Sequence, residues 1–137
     1  MPPDARYNAA VMPLGIIIVD HGSRSEESNE LLAAVAAAMG ERFAEKYPIV
    51  EPAHMDMAEP SIAQAYARCV ERGADEVVVL PYFLGPGKHC TQDIPRLTAQ
   101  AAASFPHTRY RVASHLGIDK LMLELLDKRI GECLRIV

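Results

Sequence analysis

Two periods alternate along the chain. Residues 16–19 and 77–80 are unbroken apolar runs, the pattern of central strands buried on both faces. After the first run, Leu32, Val35, Met39 and Phe43 recur at helical spacing, with Ser23 or Ser25 placed to cap the helix start. A second strand is expected over 47–55. Glu59-Pro60 then opens a helix with Ile62, Tyr66, Cys69 and Val70 on one face, Pro60 suiting the first helical position and Gly73 the residue past the end. After the third strand, Thr91 is the expected cap of a helix carrying Ile94, Leu97 and Ala101; Pro95 is tolerable because first-turn amides lack helical acceptors. A fourth strand over 109–114 precedes a helix from about Asp119 with Met122, Leu126, Ile130 and Cys133 on one face.

Alternating strands and helices imply an α/β fold, a mainly parallel sheet with helices on both faces. Pro48 and Pro52 remove ladder donors and push the second strand to an edge. The part-polar fourth strand fits the other edge, and right-handed crossovers then give the order 2-1-3-4. The switch point of such a sheet lies between strands 1 and 3, where diverging loops leave a crevice at the carboxyl ends. His21 and His89 follow those two strands, so both side chains are expected to face that crevice. Residues 1–14 read as a loose tail and 15–137 as a single domain.

The length of 137 residues suffices for one domain with a real core. A net charge of −4 offers no general attraction to nucleic acid or to an anionic membrane. No apolar run approaches the roughly 20 residues of a membrane span. Cys69, Cys90 and Cys133 form no CxxC pair and suit free thiols in a reducing compartment. The tail lacks the marks of a signal or transit peptide, so the expected location is the cytoplasm, or the chloroplast stroma for a plant or algal source.

Two imidazoles from different strands can hold a divalent metal or move protons. Glu59 is the candidate carboxylate on the same rim, although an acidic residue there also suits the helix dipole. Two histidines and a carboxylate bind a metal without caging it, which favours catalysis or delivery over structural support. Arg24, Lys88 and Arg96 are candidate anchors for an anionic ligand, and Tyr82 and Phe83 could line a flat apolar one. His54 and His115 belong to edge strands and are read as packed or solvated residues. Neither a GxGxxG nor a Walker A motif occurs.

The segments Val19-Asp20-His21-Gly22-Ser23-Arg24, Glu51-Pro52-Ala53-His54-Met55 with Ala58-Glu59-Pro60-Ser61-Ile62, and Pro81-Tyr82-Phe83-Leu84-Gly85-Pro86-Gly87-Lys88-His89 with Gln92-Asp93-Ile94-Pro95 resemble the short class II chelatases of the CbiX/SirB type, the plant and algal members above all. The likeness runs from about Leu14 to Cys133. It implies a chelatase fold with a four-stranded parallel sheet, and insertion of Fe²⁺ or Co²⁺ into sirohydrochlorin on the way to sirohaem or cobalamin. His21 and His89 match the family's metal-binding, catalytic histidines. One copy of the domain implies a homodimer. No prosthetic group is expected; with only Cys133 near Val137, neither is an intramolecular [2Fe-2S] cluster. Two other readings stay open: a carrier of metal or tetrapyrrole without turnover, and a histidine-phosphatase-like enzyme, which would want arginine where Asp20 stands.

Overall fold

The computed structural model describes residues 14–136, apart from the side chains of His89, Cys90 and Ile136. In chain order the elements are β1 (Leu14–Asp20), α1 (Glu26–Arg42), β2 (Ile49–His54), α2 (Ile62–Glu71), β3 (Glu76–Pro81), α3 (Ile94–Ala103), β4 (Arg109–Val112) and α4 (Lys120–Ile136), with a π-helical turn over His89–Asp93 before α3. The strands pair in parallel in the expected order, β2-β1-β3-β4. Pro52 lies in the edge strand opposite Ile18, where a missing N–H is tolerated. The tail expected over 1–14 lies outside the described residues up to 13, and Leu14 already belongs to β1.

The alternation of β1 divides the interior. Ile17 and Val19 point to one face, packed with Ile62, Ala65, Tyr66 and Cys69 of α2 and Ile94 and Ala101 of α3. Ile16 and Ile18 point to the other, against Leu32 and Ala36 of α1. Ile17, Ile18, Val77 and Val79 are all at most 1% exposed, and such burial contributes about 1.5–3 kcal/mol per side chain. Helices on opposite faces flank β1 and β3, which makes their junction the switch point.

Element ends show where local signals competed. Ser25 caps α1, its hydroxyl accepting the Ser28 N–H. The expected opening of α2 at Glu59-Pro60 is corrected: Ser61 is the cap, in a reciprocal capping box with Gln64, and the helix begins at Ile62. Gly73, at φ 105°, follows the C-cap Arg72 as expected. Thr91 is not the cap of α3. It lies in the π-helical turn, where its N–H and hydroxyl both donate to Gly87 O. Asp93 takes the cap position without a side-chain capping bond to the first-turn amides, and Pro95 is accommodated in the first turn. Strands 2 and 4 are shorter than expected. The apolar face drawn on α4 is present but uncovered: Leu126 and Ile130 are 53% and 60% exposed, and no described α4 side chain is buried.

Candidate functional site

Where β1 ends, the chain turns sharply and is tied down at each step. Tyr82 N–H donates to Val19 O at 2.7 Å, Met55 N–H to Asp20 O at 2.9 Å and Asp56 N–H to His21 O at 3.0 Å. Gly22 has φ 94°, and a Cβ built there would lie 1.9 Å from Asp56 O. No other residue type fits. Beyond it, Ser23 exchanges two bonds with Asn29 of α1, its N–H donating to Oδ1 at 3.0 Å and its carbonyl accepting from Nδ2 at 2.8 Å. Ser25 N–H adds a bond to Ser23 Oγ at 3.0 Å. The result is an exposed His21 on a fixed turn at the switch point, with Arg24 exposed beside it.

The loop after β3 leaves the neighbouring strand. Phe83 and Leu84 carbonyls accept from Leu116 and Gly117, which lays this loop against the segment after β4. Phe83 packs against the core on the α2–α3 side, whereas Tyr82 is 38% exposed and Lys88 is exposed. Of the two aromatics, Tyr82 presents the open ring. A Cβ on Gly85 or Gly87 would meet nothing within 4 Å. His89 opens the π-helical turn that leads from the loop after β3 into α3; its side chain lies outside the described residues.

Glu59 is exposed on the segment between β2 and α2, joined to Pro60 by a cis peptide, and its Oε2 accepts from Gln64 Nε2 at 3.1 Å. It therefore precedes the helix cap rather than sitting in the first helical turn. Arg96 pairs with Asp93 at 3.4 Å on α3. Among the described residues, no three His, Cys, Asp or Glu side chains form a group that could hold a metal. Burial, reinforced by Glu51, pushes the Cys69 thiol up to about 12, so it provides no thiolate near neutral pH.

His54, read from sequence as an edge-strand bystander, is 3% exposed, and its Nδ1 lies 2.6 Å from Asp20 Oδ1. The two residues are register partners across β1 and β2. The signal for this was the register itself, which places a histidine and an aspartate side by side at the ends of two adjacent strands.

The CbiX family profile matches residues 15–133. Over 120 residues the chain is 51% identical to "Sirohydrochlorin ferrochelatase, chloroplastic" of Arabidopsis thaliana, covering 88% of this chain and 52% of that protein. It is 45% identical over 82 residues to the sirohydrochlorin cobaltochelatase of Methanocaldococcus jannaschii, covering 60% and 56% respectively. Among solved structures, SirB from Bacillus subtilis with Fe³⁺ superposes with a TM-score of 0.81 at 26% identity, covering 89% of this chain and 48% of that one. The chain spans about half the length of these three proteins.

Proposed function

The chain belongs to the CbiX family, and from that premise we propose that it inserts Fe²⁺ or Co²⁺ into sirohydrochlorin. The observation that carries this reading is His21, an exposed imidazole on a braced turn at the crevice where a parallel sheet binds ligands. His89, from the neighbouring strand, supplies the second imidazole. Glu59 is the added carboxylate, released from Gln64 by breaking one exposed hydrogen bond. The polyanionic macrocycle lies over the rim with its peripheral carboxylates on Arg24 and Lys88 and a ring face against Tyr82, with Phe83 as the packed support behind.

The chemistry balances without redox. Two pyrrole N–H bonds break, the metal exchanges its bonds to the imidazoles and to water for four bonds to the macrocycle nitrogens, each imidazole becomes free to accept a proton as it releases the metal, and the metal keeps its charge. The imidazoles hold the metal loosely and take the departing protons near neutral pH. Few protein ligands are an advantage, because a closed cage would retain the metal. Multiple-turnover metalation of sirohydrochlorin by purified protein, followed by absorbance with each metal, tests the reading. A stoichiometric burst without turnover would favour a carrier instead.

The same reading makes the active species a homodimer. Its support is the uncovered apolar face of α4, with Leu123, Leu126 and Ile130 each more than half exposed. Sedimentation showing a stable monomer at micromolar concentration would refute it. Free thiols at Cys69 and Cys133 suit the reducing cytoplasm or a chloroplast stroma, and among the described residues no helix is long and apolar enough to cross a membrane.

A further inference from the structure

His54 lies directly beneath the His21 turn and has no part in the chemistry above. Its Cβ is 3.1 Å from the position a Cβ on Gly22 would take, so the side chain forms the floor of the turn. The main chain around it is tied down: His54 N–H donates to Pro60 O, and the next two residues donate to the carbonyls of Asp20 and His21. On this face of the sheet the interior is apolar, with Ile16, Ile18, Leu32 and Ala36 buried. An aromatic hydrocarbon would fill such a floor without desolvating a polar group. The chain instead spends a buried imidazole on one directional bond, 2.6 Å long, to a carboxylate that is 25% exposed and precedes His21.

We propose that His54 is a positioning residue for metal insertion: by holding the Asp20 carboxylate inward through Nδ1–H, it fixes the direction in which His21 leaves β1. The backbone bonds set the height of the turn. The side-chain pair sets its twist, because Asp20 is the last residue before His21, its carbonyl is already held by Met55 N–H, and its carboxylate is held by His54. Misplacement of a reacting group by about 1 Å costs up to roughly a hundredfold in rate, so a floor that fixes orientation has a kinetic signature beyond stability.

This inference rests on the proposed metal insertion, and its test separates the two. His54→Phe keeps the buried volume and removes the donor; His54→Asn restores an N–H near the Nδ1 position; Asp20→Ala removes the acceptor from a partly exposed site and carries the test should the phenylalanine variant fold poorly. The expected result is a fall of roughly tenfold or more in kcat for His54→Phe and Asp20→Ala with little change in KM for the macrocycle. His54→Asn recovers most of the rate, and the Phe/Ala double variant is no slower than either single one, as for two residues acting through one bond. The visible absorption of bound Co²⁺ reports the geometry at His21 without turnover, and it shifts in His54→Phe and returns in His54→Asn. An inactive wild-type protein would refute the metal-insertion reading, and the Co²⁺ spectra would still decide the role of His54. Wild-type rates and spectra in both His54→Phe and Asp20→Ala would overturn the positioning role and leave the function standing.

Discussion

The turn that carries His21 and the loop that leads to His89 leave adjacent strands and are built on different plans. The first has Gly22 pressed against Asp56 O, Ser23 doubly bonded to Asn29, and the His21 carbonyl bonded to Asp56 N–H. The second has two glycines with open space around them and reaches α3 through a π-helical turn secured by Thr91 on Gly87 O. Such π turns recur at functional sites because they displace side chains from the helical spiral. Under the proposed metal insertion, His21 stands on a fixed post, and the segment leading to His89 is an arm whose glycines have no neighbour within 4 Å of a built Cβ.

The largest effect expected from breaking this contrast is at Gly22. A Cβ there meets Asp56 O at 1.9 Å and adopts φ 94°, so Gly22→Ala should lower unfolding stability by about 3 kcal/mol or more in urea titration and remove metalation with it. Arg24→Ala and Lys88→Ala should act more mildly, raising the apparent KM severalfold with kcat nearly unchanged. Their effect should shrink as salt is added, because both side chains are exposed. The smallest effect belongs to Gly87→Ala, where a methyl group meets nothing within 4 Å; stability should stay within about 0.5 kcal/mol. A loss at Gly87→Ala as large as at Gly22→Ala would erase the distinction between post and arm.

The legible parts of this fold were those governed by local rules. Unbroken apolar runs marked β1 and β3 as central, and Pro52 marked β2 as an edge, so the strand order and the site of the crevice followed once right-handed crossovers were required. The misreadings came from competition between rules of similar strength. Pro60 and Ser61 both announce a helix start; the capping box of Ser61 with Gln64 won because it satisfies two orphan amides where proline only removes one. Thr91 offered a cap, but its hydroxyl found Gly87 O one turn earlier. His54 was beyond single-strand reasoning, since its partner Asp20 is set by register between strands. For α4 the periodicity drew the apolar face correctly and could not say what covers it, because burial depends on neighbours that a helical period does not specify.

The central claim is that His21 and His89 carry the metalation. The measurement that tests it most directly is the rate of Fe²⁺ and Co²⁺ insertion into sirohydrochlorin by His21→Ala and His89→Ala, corrected for uncatalysed insertion, alongside their thermal midpoints. The account predicts a loss of about a hundredfold or more in each variant, with the midpoint of His21→Ala close to wild type because its side chain is exposed. Near-wild-type rates in both variants with both metals would contradict it.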